Sequence, residues 1–309
     1  MTSKERFITA LNLGTPDRVP TFELEFQLSQ ELVGKEMLHE EDLAGLSPEE
    51  TQKRLRENAQ LLVEIYTILE HDAICIQYLS EEHIADTVRY IHDLAGDRFM
   101  LFAHGDGTLS ITDGEGMEEL AYALFEDPET VHAKCRAMAD EAIRRDMYLL
   151  EHGLDGFILC SDYCFNNGPF MSPKMFSEFV TPYLADIIRA IREKGGYAIK
   201  HTDGDIMPIL DQLVSCHPHA LHSLDPMAGV DIKTVKEKVG DKIALCGNVH
   251  CAALQTGTEE QVRESANYCL TYGGQGGGYI FATSNVPFKG MPPERYKLIL
   301  DIWKERRKY

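Results

Sequence analysis

The sequence has no apolar run long enough to cross a membrane. Its longest apolar stretches are strand-sized pieces such as "DAICI", far short of the ~20 residues a spanning helix needs. The opening "MTSKERFITALNLGTPDRVP" lacks the apolar core of a secretory signal and reads as a helix followed by a Pro-bounded loop, so a cytoplasmic protein is expected. No CxxC pair occurs among the eight cysteines, which removes a zinc ribbon and a thioredoxin-type site and leaves scattered, reduced thiols. Positive charge is also scarce. With 30 Lys and Arg against 50 Asp and Glu, the net charge of -20 argues against binding to nucleic acid through its phosphates, which needs a concentration of Lys and Arg. It also disfavours a highly anionic substrate unless a local Arg cluster overrides the global field. No low-complexity tract or linker rich in Pro, Gly or Ser divides the chain, so residues 1–309 are expected to form one domain with an N-terminal helical extension.

What is present is a recurring short apolar run followed by a longer helical pattern. The runs fall at 19–26, 71–78, 97–105, 155–162, 197–201, 220–226, 242–248 and 278–285. Between them, 48–70 repeats Leu and Ile at three- and four-residue steps, as an amphipathic helix does. The segment 127–153 opens on Asp-Pro and stops at Gly, and 172–196 opens on Ser-Pro and stops at Gly-Gly. Pro182 inside the latter predicts a break near Thr181. A further helix begins at Thr258 as its N-cap. Alternation of this kind predicts an α/β fold, a parallel (β/α)8 TIM barrel. A doubly wound open sheet is the alternative, but "FELEFQLSQ" after the first run carries no glycine fingerprint.

Barrels of this kind place their chemistry at the C-terminal strand ends. Those ends carry Glu23 and Glu25, Gln77 and Tyr78, His104, Asp162, His201 and Asp203, Ser223 and Asp225, Cys246 to Cys251, and Ser284 and Asn285. Any strand must exit into a polar loop, so many of these positions also fit ordinary turns and caps. Two stretches stand out: His201-Thr202-Asp203, and "CGNVHCAAL" with Cys246, His250 and Cys251. Imidazole and thiolate are ligands zinc prefers, and a catalytic zinc keeps one position open beside three protein ligands. His201, Cys251 and one carboxylate from Asp203, Glu23 or Glu25 would meet that need. Asp162 in "CSDYCFNNGPFMSP" could accept a proton or orient a substrate. The Gly-rich "GGQGGGYIFATSN" precedes its strand instead of opening a helix, so it is not a phosphate loop.

Several stretches resemble the uroporphyrinogen decarboxylase superfamily: the opening twenty residues, "NGPFMSPKMFSEFVTPYL", "HTDGDIMPILDQLV", "LDPMAGVDIKTVKEKVGDKIALCGNVHC" and "GGGYIFATSNVPFKGMPPERY". The resemblance implies a (β/α)8 barrel of the uroporphyrinogen decarboxylase type and one of two chemistries. These are metal-free decarboxylation of a porphyrinogen, and zinc-dependent methyl transfer to or from a protein-bound corrinoid. The decarboxylases resemble one another in an Arg-rich segment after the first strand, where this chain has "FELEFQLSQELVG" with no Arg. The chain therefore resembles the corrinoid-dependent methyltransferase branch more closely. In part of that branch zinc is held by a His-x-Cys pair and a Cys near the last strand. Here the histidine is His201, Asp203 stands at the Cys position, and the last strand has no Cys. The resemblance thus implies a zinc methyltransferase acting between a small O-, N- or S-methyl compound and a separate corrinoid protein. Glu25, His201 and Cys251 are the expected zinc ligands. Asp162 and Asp203 are the expected catalytic groups, and Tyr78, Asn166 and Asn285 the expected substrate contacts. A homodimer is implied as well. A metal-free decarboxylase acting on a less anionic substrate is the alternative, and a non-catalytic binding barrel is the third reading.

Overall fold

Short runs that are apolar on both faces become the strands of one parallel sheet, as burial under helices on one side and inside a curl on the other requires. In a computed structural model describing residues 1–309, the strands are β1 (Ala73–Ile76), β2 (Met100–Gly105), β3 (Gly156–Leu159), β6 (Tyr197–Thr202), β7 (Ala220–Ser223), β8 (Ala244–Cys246) and β9 (Tyr279–Ile280). They pair in the order β1-β2-β3-β6-β7-β8-β9, every pair parallel. The result is an α/β fold whose sheet curls into part of a barrel. A small antiparallel hairpin, β4 (Cys164–Phe165) with β5 (Gly168–Pro169), stands in the loop after β3 and was not foreseen. No helix is long and apolar enough to cross a membrane.

The helices begin where their caps predict. Ser47 and Glu50 form a reciprocal capping box at the start of Pro48–Ile68, and Asp127 caps Pro128–Glu151. Thr258 and Gln261 do the same for Glu259–Tyr268. The proline break also occurs as expected: Pro173–Phe179 ends and Thr181–Glu193 starts on either side of Val180.

The first run, 19–26, does not become a regular strand, so the expected closed barrel of eight regular strands is not formed. Thr21 makes a single parallel bridge to Phe281. Phe281 N donates to Pro20 O at 2.9 Å, and Asp72 N donates to Thr21 O at 2.8 Å. The physical reason lies in two residues. Pro20 has no N–H to give a ladder, and the Thr21 N–H is taken by the Asp72 side chain at 3.1 Å. That carboxylate also accepts from Arg6 Nη1 at 2.7 Å and from both terminal nitrogens of Arg18 at 3.0 Å.

Alternation sends every second strand residue into the curl. Ala73 and Cys75, Met100 and Phe102, Ile158, Ile199, Ala220, Ala244 and Cys246, Ile280 and Ala282 fill it, with Phe22 and Leu24 from the irregular stretch. The N-terminal helix Ser3–Leu11 adds Phe7, Ala10 and Leu11 to the same cluster, Phe7 meeting Phe22 and Phe102 at ring distances of 5.3 and 5.5 Å. One step further along β2, β6 and β7 the same inward row carries His104, His201 and His222.

Facing the other way, Lys200 is fully buried and donates to Asp106 Oδ2 at 2.7 Å, to Leu159 O and to Ser161 O. Burial pushes the Asp106 carboxyl up, but the Lys200 charge and the hydrogen bonds from Lys200, Thr108 and Ser161 outweigh it and hold it below its ordinary value. Removing one partner leaves a buried charge uncompensated. Asp106→Asn is therefore expected to lower stability by about 3–5 kcal/mol in denaturant unfolding, and Asp106→Asn with Lys200→Met by less than Asp106→Asn alone.

Candidate metal and proton-transfer site

Three of the expected residues converge. Asp162 follows β3, His201 is the penultimate residue of β6, and Asp203 follows it; their ligand atoms all lie within 4.8 Å of one another. His201 Nε2 is 3.9 Å from Asp162 Oδ1 and 3.8 Å from Asp203 Oδ1. These separations are too long for direct hydrogen bonds. They are somewhat wider than the ~3.4 Å edge of a tetrahedron with arms of zinc–ligand length. His201 is sealed at 4% exposure, whereas the Asp162 and Asp203 side chains are 45% and 32% exposed and face the opening.

Each member is held from behind. The Asp203 N–H donates to Asp162 Oδ1 at 3.0 Å, tying the two acids together. Ser223 Oγ donates to Asp203 Oδ1 at 2.7 Å, and Asn285 Nδ2 donates to Asp203 Oδ2. His201 Nδ1 meets His222 Nδ1 at 2.9 Å. Burial pushes the Asp203 carboxyl up to about 7, with the Asp162 and Asp225 charges adding to it against the hydrogen bonds from Ser223 and Asn285. His201 is held well below its ordinary value by burial first, then by His222, Lys200 and His104. The set is thus a neutral imidazole nitrogen facing two carboxyl groups that are costly to ionise together. A divalent cation or a proton between them relieves that cost.

The expected zinc set of Glu25, His201 and Cys251 does not assemble. Glu25 is occupied by Gln27 Nε2, and it is not in the His201 cluster. Cys251 is carried off by the short helix Cys251–Thr256 that starts directly at the β8 exit, and its Sγ contacts Val286 O at 3.9 Å. Burial pushes its thiol up to about 11, which disfavours the thiolate a metal needs. Asp162 and Asp203, expected as catalytic groups, take the places beside His201, and Asn285 positions Asp203. Tyr78 stacks on His39 at 4.1 Å between ring centres on the rim. Asn166 is exposed in the turn of the β4–β5 hairpin. Neither meets the cluster. His222 was missed, although the two strand exits "KHT" and "LHS" carry the same central histidine and pair in register, His201 opposite His222. A separate cavity of about 630 Å³ opens between Pro226–Ile232 and the helix Glu259–Tyr268; Asp162, His201 and Asp203 do not line it.

A family profile described as uroporphyrinogen decarboxylase (URO-D) matches residues 80–306. A protein named uroporphyrinogen decarboxylase from Photobacterium profundum is 25% identical over 239 residues, covering 74% of this chain and 65% of the relative. One from Pelodictyon phaeoclathratiforme is 24% identical over 200 residues, 62% of this chain and 55% of the relative. The chain thus spans less than two thirds of the length of these relatives. Among solved structures, one described as a methyltransferase from Methanosarcina mazei superposes with a TM-score of 0.78 at 16% identity, covering 99% of both chains. At that identity the likeness is one of fold.

Glu23, the alternative carboxylate, is sealed at 1% exposure and accepts from Thr283 and from Tyr296 OH at 3.1 Å. Burial pushes it up to about 8 against those hydrogen bonds. Below its unfolded value of 4.5 both states keep the proton; between 4.5 and about 8 only the folded state does. Stability contributed at low pH is therefore lost as pH rises through that window. Denaturant unfolding from pH 5 to 8 is expected to show the wild type falling relative to Glu23→Gln by up to a few kcal/mol.

Proposed function

From the premise that the chain belongs to the uroporphyrinogen decarboxylase family, we propose that it is a zinc-dependent methyltransferase. It would move a methyl group between a small O-, N- or S-methyl compound and a corrinoid carried by a separate protein. The observation that carries the reading is the convergence of His201 Nε2 with Asp162 and Asp203 at the strand ends. Nitrogen and carboxylate oxygen are both zinc donors, and three protein ligands leave a position open for substrate. The residues present therefore fit the ion, with Asp162, His201 and Asp203 holding it in place of the Glu25, His201 and Cys251 set. Zinc bound there supplies a Lewis acid for the heteroatom that gives up or receives the methyl group.

The chain's own groups do the rest. Ser223 and Asn285 fix the Asp203 carboxylate from two sides, and the Asp203 N–H fixes Asp162. His222 fixes the His201 ring. Both acids reach the opening, so an in-line transfer to a group delivered from outside has access. Tyr78 and Asn166, on the loops leaving β1 and β3, together with Asn285, are the proposed substrate contacts. The absence of Arg from 19–35 disfavours a substrate carrying many carboxylates, such as a porphyrinogen. A fold of the same shape serves the protein described as a methyltransferase. We read the sheet as a (β/α)8 barrel whose first stave is the irregular stretch around Thr21, and residues 1–309 as one barrel domain.

Metal analysis of purified protein is expected to give about one zinc per chain, as a single three-ligand site requires. His201→Ala and Asp203→Asn should lose it, whereas Cys251→Ser should keep it. A protein that stays metal-free after zinc is offered, and that releases carbon dioxide from a carboxylated substrate, would replace this reading with the decarboxylase.

A further inference from the structure

The His201–His222 contact carries more than orientation. Their Nδ1 atoms are 2.9 Å apart, and such a contact holds when one proton, and only one, lies between them. Two arrangements of a neutral pair satisfy it. In the first, His222 donates from Nδ1; His201 then carries its own proton on Nε2, facing Asp162 and Asp203, and His222 Nε2 is bare. In the second, His201 donates from Nδ1, its Nε2 presents a lone pair to the two acids, and His222 must carry a proton on Nε2.

The surroundings of His222 Nε2 separate the two. That atom is buried without any hydrogen-bond partner, in a residue 1% exposed whose ring stands at 77° to that of Phe22, 5.7 Å between centres. A buried N–H with no acceptor is costlier and rarer than a buried acceptor with no donor. The first arrangement leaves only a lone pair unpartnered there, and it turns an N–H, instead of a lone pair, toward two carboxyl groups. Both effects act in the same direction.

We propose that His222 is a positioning residue that keeps His201 in its Nε2–H form in the metal-free protein, so that metal capture requires the pair to exchange arrangements. The exchange moves the bridging proton from His222 Nδ1 to His201 Nδ1. The proton leaving His201 Nε2 is balanced by one taken up at His222 Nε2, so the pair stays neutral and needs no oxidant or reductant. Without metal the strand ends thus present a proton donor beside two acids; with metal they present a ligand. The inference rests on the reading of His201 as a metal ligand only in its second half.

The test is a long-range ¹H–¹⁵N spectrum of the histidine rings in the metal-free protein, with His201 and His222 assigned by His201→Gln and His222→Asp. The expected pattern is a protonated Nε2 and bare Nδ1 for His201, and the reverse for His222. A proton on Nδ1 of metal-free His201, or both of its ring nitrogens protonated, overturns the proposal. Zinc addition should convert His201 to the Nδ1–H form. His222→Asp offers only an acceptor and should place His201 in that form before metal arrives, with Co²⁺ binding, read from its visible absorption bands, tightened about tenfold. Unchanged Co²⁺ affinity in a folded His222→Asp variant overturns the control assigned to His222. A buried carboxylate can compromise folding, so the wild-type spectrum decides the first half alone. Failure of zinc and cobalt to bind removes the proposed function and the exchange, and leaves the metal-free tautomer to be judged by its own spectrum.

Discussion

The completely buried carboxylate of Asp72 is shared by Arg6, Arg18 and the backbone N–H of Thr21. It holds the segment around Thr21 between β1 and Phe281, where regular strand pairing is interrupted. With the two edges of the curled sheet joined through this group, the inward faces of seven strands are set at fixed distances. The strand-end cluster inherits that spacing. His201 meets His222 across one sheet pairing, whereas Asn285, beyond β9, reaches Asp203 across β7 and β8. A cluster assembled from such distant stretches needs the sheet's curvature fixed before its side chains can meet.

Above that seam, the period-two alternation of strands does the sorting. Inward positions are apolar until the last row, where β2, β6 and β7 place His104, His201 and His222. Lys200, between Ile199 and His201, necessarily points the opposite way and forms its buried pair with Asp106 under the helices. Adjacent residues on one strand thus serve two separate polar networks. The outer one anchors the loop after β2; the inner one holds the ring facing Asp162 and Asp203.

Much of this was legible in the sequence because it is local. Helix starts at Ser47, Asp127 and Thr258, the break before Pro182, and the polar strand exits all follow from residues within a few positions of one another. What was not legible depends on partners far along the chain. The irregularity at 19–26 arises because Asp72 captures the Thr21 N–H, a contact across 51 positions. Cys251 looks like a ligand beside "CGNVH", but its sulfur lies against Val286 O and outside the group formed by Asp162, His201 and Asp203. His222 lies inside the run 220–226, whose exit residues Ser223 and Asp225 drew the attention, and its role appears only when β6 and β7 are placed in register.

The N-terminal helix has a consequence for traffic. Phe7, Ala10 and Leu11 stopper the curl at the end opposite the cluster, and the apolar layers between them leave Asp162 and Asp203 at a blind end. Whatever meets Asp162 and Asp203 must therefore approach from the side on which those two side chains are exposed, because the apolar layers and the N-terminal helix close the other.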